Sequence, residues 1–317
     1  MIMEGAGMES AIVTGATGLV GRWVTAELLK YNVKVYALVR SREKAERIFY
    51  PNKNLHIIQY EFDRNIPVRN FIPGGVDVFY HFAWEGVSGE KLGDFSVQIA
   101  NIQRTLRLAE QLGELGIKKF IGAGSLHEAE YIEEIKKENA AFHMGVMYKS
   151  AKLAAHYMAK AEVCRQGIQF IWPVITNTFG VGEKTPRLVN STIRKLLNGE
   201  SPKYTSGLQL YDFIYISDVA RAFRLIGEKG IHCRNYILGS GSCRPLRGYL
   251  ECIGEIVNPQ VPLLFGEASF EGIMLPPACY DTESLERDTG FHCEVSFEES
   301  IQCMKRWILE GEKDVRI

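Results

Sequence analysis

The stretch Ala11-Ile12-Val13-Thr14-Gly15-Ala16-Thr17-Gly18-Leu19-Val20-Gly21 decides the fold of this 317-residue chain. A short apolar strand leads into three glycines spaced by three, and an apolar, helix-like run follows over Leu19–Lys30. Glycine permits a tight strand-to-helix turn and lets backbone N–H groups approach an anion closely. The first turn of such a helix presents unpaired N–H groups and a positive dipole end. The stretch therefore predicts a dinucleotide pocket at the first βα turn of a doubly wound sheet.

Composition narrows the class of protein. Hydrophobic residues make up 46% of the chain, charged residues 24%, and the formal net charge is −1, so neither nucleic acid nor a membrane is an expected partner. Residues 1–10 lack the basic and apolar regions of a signal peptide. Seven scattered cysteines contain no C-x-x-C pair, which predicts neither a metal site nor a disulfide framework. We expect a cytoplasmic protein.

Strand-like and helix-like runs alternate through the first half of the chain, which predicts an α/β fold with a doubly wound (Rossmann) parallel sheet covered on both faces. The predicted strands span 34–39, 55–60, 76–82, 119–124 and 169–174, and the predicted helices span 19–30, 95–115 and 148–165.

In the second half, Gly, Pro and Lys surround one predicted amphipathic helix at 188–197. Two β segments, 212–216 and 235–238, are predicted to be late additions to the sheet. We therefore expect a dinucleotide-binding domain over 1–176 plus about 210–240. A smaller, discontinuous substrate-binding lobe would take about 177–209 plus 241–317.

Two groups in this pattern could carry acid–base chemistry. Tyr148 and Lys152 lie one helical turn apart on the same face, and a nearby ammonium favours the phenolate, so we expect a lowered tyrosine pKa. Ser125 follows a predicted strand, at the edge of the sheet where ligands of open α/β folds bind. Such pairs and strand-end serines also occur by chance, and their order along the chain gives them weight.

That order resembles the extended branch of the short-chain dehydrogenase/reductase family, which includes nucleotide-sugar epimerases, dehydratases and reductases. Ser125, Tyr148 and Lys152 match its catalytic trio, and matching segments cover almost the whole chain. The other segments that carry the resemblance are the glycine run 14–21, His81-Phe82-Ala83, Asn101-Ile102-Gln103-Arg104-Thr105, Asn177-Thr178-Phe179-Gly180, the run 212–220, and Asp281-Thr282-Glu283-Ser284-Leu285 with Trp307.

The resemblance implies a mechanism and a set of binding residues. Tyr148 would take or give the proton of a sugar hydroxyl, Ser125 would orient the substrate oxygen, and Lys152 would hold the nicotinamide ribose. Asn177 would lie near the sugar diphosphate. The cofactor-binding residues it implies are Thr14, Gly15, Thr17, Gly18, Leu19, Val20, Gly21, Phe82, Ala83, Asn101, Tyr148 and Lys152.

The choice of cofactor depends on the end of the second strand. NAD enzymes usually carry an acid there, whereas this chain has Arg40, a planar cation suited to a 2′-phosphate. We therefore favour NADP(H), with NAD(H) as the alternative. Asp63, which closes the third strand, matches a family position that touches adenine.

Departures from the family pattern fall where substrate should bind. Leu126 and His127 follow Ser125 in place of the acidic pair of sugar dehydratases, which disfavours dehydration, and Glu128 comes one place late. His127 is either an extra acid/base or an exposed loop residue. Trp84 replaces a small residue and either stacks on the substrate or packs.

Three functions remain open. The first is a nucleotide-sugar epimerase or dehydrogenase, and the second is an NADPH-dependent reductase of a keto-deoxy nucleotide sugar or another carbonyl. The third is a non-catalytic NADP-sensing protein, against which the intact trio argues. The family resemblance also implies a homodimer in which the helices at 95–115 and 148–165 pair across a two-fold axis.

Overall fold

A computed structural model of the protein describes residues 7–64, 66–137, 144–270, 272–313 and 315–317. Most of the segment on which the signal-peptide prediction rests lies outside these residues. The strands of the described chain are β1 (Ser10–Thr14), β2 (Lys34–Val39), β3 (Leu55–Gln59), β4 (Val78–His81), β5 (Lys119–Gly122), β6 (Gly124–Ser125), β7 (Gln169–Ile171), β8 (Val174–Ile175), β9 (Asn177–Phe179), β10 (Lys203–Tyr204), β11 (Leu210–Tyr211), β12 (Phe213–Tyr215), β13 (Ile237–Leu238), β14 (Arg244–Pro245) and β15 (Leu264–Phe265).

The helices alternate with these strands through the first half of the chain and dominate the last third. They are α1 (Leu19–Lys30), α2 (Arg42–Ile48), α3 (Phe95–Glu110), α4 (Leu126–Glu134), α5 (Gly145–Arg165), α6 (Leu188–Leu197), α7 (Ile216–Lys229), α8 (Leu246–Val257), α9 (Glu283–Thr289) and α10 (Phe297–Leu309). None of the helices in the described ranges is long and apolar enough to cross a membrane.

Six strands form one parallel sheet in the order β3-β2-β1-β4-β5-β7. The chain leaves β1 toward β2 on one side and returns to β4 on the other, so the strand order reverses at β1. A crevice therefore opens at the carboxyl end of β1, which is where such sheets bind ligands. This topology confirms the predicted doubly wound Rossmann fold.

The strands are apolar because both faces of the sheet are covered. Along β1, Ala11 and Val13 belong to the hydrophobic cluster on one face, and Ile12 belongs to the cluster on the other. Helices α1 and α7 pack together on the first face, and α3 and α5 pack together on the second. This two-sided burial positions the ends of the strands, and with them the candidate site.

Three elements of the predicted sheet domain end early or divide in the structure. The helix predicted to reach residue 115 ends at Glu110, and a separate 3-10 turn occupies Gly113–Leu115. The strands predicted at 119–124 and 169–174 each divide in two, since Pro173 has no N–H to donate and its carbonyl accepts from Gly124 N at 2.9 Å.

The two late β segments do not join the main sheet, contrary to the prediction. β12 pairs with β9, and β13 pairs with β8 in a three-stranded sheet of order β13-β8-β6. Helices α6, α8 and α10 pack against one another beyond these small sheets. The division of the chain into two domains stays a prediction.

Candidate active site

The turn after β1 requires glycine for two reasons. Gly15 has a φ of +67°, in the left-handed region, and a Cβ there would lie 2.7 Å from the backbone N of Ala83. Gly18 is the N-cap of α1 and brings no side chain to cap it, so the first turn of the helix keeps its N–H donors for another acceptor. This cradle fits a diphosphate, as the glycine spacing predicted.

Thr14 serves the framework of this turn. Its buried hydroxyl accepts hydrogen bonds from the backbone N–H groups of Phe82 and Ala83, each at 3.2 Å, and lies 2.9 Å from His81 Nδ1. The Thr14 side chain therefore ties the end of β1 to the end of β4. Thr17 is half-buried at the tip of the turn.

His81 is a buried, neutral imidazole whose tautomer follows from its neighbours. The Thr105 hydroxyl donates to the Asn101 carbonyl at 2.8 Å, so it accepts from His81 Nε2–H at 2.9 Å. His81 Nδ1 then accepts from the Thr14 hydroxyl. Burial, aided by the charge of Lys152, lowers the pKa of His81 to about 3. His81 thus connects β1 and β4 to α3 through hydrogen bonds, and its ring is neutral near pH 7.

Asn101 positions the loop after β4. Its buried amide donates to the Glu85 carbonyl at 2.7 Å and accepts from the Glu85 N–H at 3.0 Å. Both ends of the amide are thus used on one backbone residue. The side chain fixes the path of Phe82, Ala83 and Trp84 beside the glycine turn, a role that the family motif alone did not specify.

Four of the predicted site residues come together at the carboxyl ends of β5 and β6, namely Ser125, His127, Tyr148 and Lys152. Lys152 Nζ donates to the Ala123 carbonyl at 3.1 Å, and the hydroxyls of Tyr148 and Ser125 are hydrogen-bonded. Ser125 Oγ lies 3.0 Å from His127 Nδ1, and the rings of His127 and Tyr148 meet edge-on at 5.6 Å. His127 lies in the first turn of α4, where its crowded surroundings lower its pKa although solvent still reaches the ring.

Burial dominates the ionisation of the trio. It raises the pKa of Tyr148 to about 12, an effect that the hydrogen bond to Ser125 reduces, and it lowers the pKa of Lys152 to about 8. The prediction of a lowered Tyr148 pKa is wrong for this arrangement. The reason is that burial disfavours the charged phenolate of Tyr148. The ammonium of Lys152 contacts the Ala123 carbonyl and the Trp84 ring.

That indole belongs to Trp84, which packs directly over the trio. Lys152 Nζ lies 3.8 Å from the centre of the Trp84 ring, and the Trp84 and Tyr148 rings meet edge-on at 6.3 Å. The Trp84 Nε1–H donates to Gln98 Oε1 at 3.0 Å, which fixes the ring plane. Trp84 therefore packs against the proposed catalytic groups, and its stacking on a substrate stays a prediction.

Glu128 is a site residue whose role the sequence prediction missed. Its buried carboxylate accepts from Ser125 N at 2.8 Å, Trp172 Nε1 at 3.2 Å and His156 Nδ1 at 2.9 Å. With the Ser125 hydroxyl bound to the backbone of α4, this forms a capping box at the start of that helix. The S-x-x-E spacing at 125–128 is the sequence signal that could have found it.

Three predicted binding residues lie away from the trio's contacts. Arg40, at the end of β2, has an ion pair with Glu85. Asp63 forms a two-pronged pair with Arg104 at 2.6 and 3.0 Å, and this hydrogen bonding lowers its pKa. Asn177 begins β9, two residues after the Ile175 that pairs with Ser125, and its amide donates to the Asp212 carbonyl at 3.3 Å.

A separate cavity of about 190 Å³ lies beside β12 and α8, and Arg244 is one of the residues that line it. The Arg244 guanidinium lies 4.1 Å from the centre of the Tyr249 ring. Within the residues that the structure describes, its buried Nε has no hydrogen-bond partner. An arginine donor held in this way is suited to an anionic ligand.

Comparisons with known proteins agree with this geometry. The model of the NAD dependent epimerase/dehydratase family matches residues 11–239. CDP-abequose synthase of Salmonella muenchen is 23% identical over 299 residues, which cover 92% of this chain and 96% of the relative.

Solved structures share the fold. UDP-N-acetylglucosamine 4-epimerase of Methanobrevibacter ruminantium M1, in complex with UDP-N-acetylmuramic acid, superposes with a TM-score of 0.79 at 22% identity, over 96% of this chain and 99% of that one. The enzyme WbmF of Bordetella bronchiseptica, in complex with NADH, gives a TM-score of 0.73 at 16% identity over 98% and 95%. The chain therefore belongs to the NAD dependent epimerase/dehydratase family, enzymes of the extended short-chain dehydrogenase/reductase type.

Proposed function

We propose that this enzyme is an epimerase or dehydrogenase that acts on one carbon of a nucleotide-diphosphate sugar. The observation that carries the proposal is the convergence of Ser125, Tyr148 and Lys152 at the strand ends beside the glycine turn. The nicotinamide cofactor, when bound, supplies or accepts the hydride at that carbon.

The side chains of the chain would handle the proton and the positioning. Tyr148 Oη takes or gives the proton of the sugar hydroxyl, and the Ser125 hydroxyl orients the reacting oxygen. Lys152 holds the cofactor ribose. To do so, its ammonium either breaks its hydrogen bond to the Ala123 carbonyl or keeps it and uses another N–H for the ribose. His127, 3.0 Å from Ser125 Oγ, is a second group able to exchange protons with the substrate.

The diphosphate of the sugar nucleotide, unlike that of the cofactor, would be bound by the second half of the chain. Arg244 offers an unpartnered donor, within the described residues, to the cavity beside β12. Asn177 pairs with Phe213, another residue that lines this cavity, through the β9–β12 ladder. We infer that a sugar nucleotide lies with its diphosphate toward Arg244 and its sugar toward Tyr148.

A second candidate is an NADPH-dependent reductase of a keto-deoxy nucleotide sugar. Two observations favour it. Arg40 is a cation at the end of β2, where folds of this type bind the adenine ribose, and its side chain is 74% exposed. Tyr148, with its pKa raised to about 12, is a protonated phenol near neutrality, which is the form that donates a proton to a carbonyl oxygen during reduction.

The cofactor that copurifies tests the two candidates. Tightly retained, oxidised NAD supports an epimerase that recycles its hydride, and empty protein that binds NADPH reversibly supports a reductase. Assays with a panel of nucleotide-diphosphate sugars and their keto forms then give the direction. Absence of turnover on every such substrate, despite cofactor binding, would contradict both candidates and favour the sensing protein.

Tyr148→Phe tests the trio directly. We expect turnover to fall at least a thousandfold, roughly the contribution of a general acid–base group, while cofactor affinity stays nearly unchanged. Tyr50→Phe, at an exposed tyrosine after α2, is the matched control and should keep full activity. Undiminished turnover in Tyr148→Phe would remove the proposed mechanism.

We also propose a homodimer formed by α3 and α5. These helices pack together, and they expose Phe95 and Ile99 on α3 and Tyr157 and Met158 on α5. Exposed apolar side chains on adjacent helices are typical of an interface. Light scattering should give twice the chain mass for the natural protein and the single chain mass for Ile99→Glu. A natural protein that is monomeric at micromolar concentration would refute the dimer.

A further inference from the structure

Two cysteines far apart in the sequence meet at the edge of the main sheet. Cys164 lies one residue before the end of α5, and Cys233 lies in the turn after α7, yet their sulfurs are 3.9 Å apart. Both side chains are half-buried, so a small solute can reach them. The distance is short enough for small side-chain rotations to bring the sulfurs to the roughly 2.05 Å of a disulfide bond.

The turn that carries Cys233 is fixed against the edge strand β7. Cys233 N donates to the Phe170 carbonyl at 2.8 Å, and Phe170 N donates to His232 Nδ1 at 3.0 Å. Cys233 also has a φ of +57°, a left-handed conformation that a non-glycine residue adopts only when its surroundings hold it. The second sulfur is therefore held in place beside the first.

His232 is arranged to donate a hydrogen bond to the sulfur of Cys233. Because His232 Nδ1 accepts the Phe170 N–H, the proton of the neutral ring is on Nε2. Nε2 lies 3.3 Å from Cys233 Sγ, so the ring donates to that sulfur. Such a donor stabilises the thiolate, the reactive form of a cysteine.

The same tautomer argues against a metal ion at this cluster. The possible ligand atoms of Cys164, His232 and Cys233 lie within 4.8 Å of one another, which is close enough for them to bind one metal ion together. A histidine ligand, however, donates its other ring N–H to an acceptor, whereas the other nitrogen of His232 faces a donor. Metal binding would require breaking the hydrogen bond from Phe170.

We propose that Cys164 and Cys233 are a redox-sensitive dithiol that closes to a disulfide on reaction with a peroxide. The Cys233 thiolate attacks one peroxide oxygen, the O–O bond breaks, and Cys233 becomes a sulfenic acid. The hydroxide that leaves takes up the proton that the Cys233 thiol had released to solvent and becomes water. Cys164 sulfur then attacks Cys233 sulfur, a second water leaves with the Cys164 proton, and the S–S bond forms. Two thiols are oxidised and one peroxide is reduced to two waters.

Cys164 is suited to the second step rather than the first. Burial and the contact with Cys233 raise the pKa of Cys164, which disfavours its thiolate while Cys233 is still reduced. The disulfide would join the last turn of α5, the helix that carries Tyr148 and Lys152, to the turn after α7.

Peptide mapping of the full-length protein tests the proposal. Fully reduced protein, treated with hydrogen peroxide and digested without reductant, should yield a Cys164–Cys233 cross-linked peptide, and free thiols should fall from the seven of the reduced chain to five. Dithiothreitol should restore all seven. Cys164→Ser and Cys233→Ser should each abolish the cross-link, and Cys279→Ser should retain it. An unchanged thiol count, or oxidation to sulfonic acid without the cross-link, would overturn the proposal.

Two further measurements test the role of His232. His232→Ala should slow cross-linking by about tenfold, the loss expected for one hydrogen bond to a charged sulfur, while His292→Ala, at another exposed histidine, should not. Zn²⁺ added to the reduced protein should not protect the two thiols. Stoichiometric zinc binding that protects them and that is lost in His232→Ala would identify a metal site and refute the dithiol assignment.

Discussion

The carboxylate of Glu85 lies 3.5 Å from the guanidinium of Arg40, the cation on which the prediction of NADP rests. Lys91 donates to the same carboxylate at 2.6 Å, and this hydrogen bond lowers the pKa of Glu85. Glu85 thus neutralises part of the charge of Arg40 before any cofactor binds. A 2′-phosphate would have to compete with Glu85 for it.

This relationship gives a prediction for cofactor choice. We expect NADPH to bind more tightly than NADH, and Arg40→Ala to weaken NADPH binding by about tenfold. Glu85→Gln should raise the preference for NADPH, because it releases Arg40 from its ion pair. Isothermal titration with both cofactors measures this. Arg42→Ala is the control, because that side chain is paired with Glu46. Equal affinities for both cofactors in the natural protein would refute the NADP assignment.

Gly15→Ala should abolish cofactor binding and lower the free energy of unfolding by about 3 kcal/mol. A Cβ at Gly15 would press on the Ala83 backbone as well as strain a φ of +67°. Gly89 has a φ of +68° with open space around it, so Gly89→Ala carries the strain without the clash. Urea unfolding and cofactor titration of both variants separate the two effects. Similar losses in both would show that close approach to Ala83 is unimportant.

Glu128→Gln should reduce turnover and lower the free energy of unfolding by about 1–3 kcal/mol. The amide of the variant presents N–H donors where the carboxylate accepts three hydrogen bonds, so one donor among Ser125 N, Trp172 Nε1 and His156 Nδ1 loses its acceptor. Steady-state kinetics and urea unfolding measure both effects. Glu133→Gln, on the exposed side of the same helix, should change neither.

Acid should destabilise the fold through His81. The folded pKa is about 3 and the ordinary value is 6.5, so between these values the unfolded chain binds a proton that the folded chain does not. The contribution of His81 is therefore lost as pH falls, by up to about 1.4 kcal/mol per pH unit. His81→Gln should be less stable near neutrality but should show a flatter acid limb in urea titrations. His56→Gln, at an exposed histidine, should keep the slope of the natural protein.

Much of the fold could be predicted because local signals and tertiary packing agree. Helix α1 begins after Gly18 and ends at Lys30 as expected, and α6 and β2 have the predicted bounds. The sequence could not show where a continuous apolar run breaks. Residues 169–174 look like one strand, but Pro173 ends the ladder of the main sheet and starts a smaller one.

The candidate site was harder to predict, since its contacts join residues that are distant in sequence. Ser125, Tyr148 and Lys152 could be found from the order of the motifs. The contact of Trp84 with Lys152, 68 positions apart, and that of Glu128 with His156 depend on how α5 packs over the strand ends. The lowered tyrosine pKa was mispredicted because helical spacing indicates that two groups are near each other but not how deeply they are buried.

Ser125 is both a helix cap and a member of the trio, and this dual use limits what a single substitution can reveal. Ser125→Ala would remove the hydroxyl from Tyr148 and also the side-chain half of the capping box. A loss of activity in that variant would therefore mix chemistry with the unravelling of the first turn of α4. Ser125→Asn keeps a side-chain oxygen that can cap α4 but lacks the hydroxyl, so comparing it with Ser125→Ala tells a damaged scaffold from a missing reactive group.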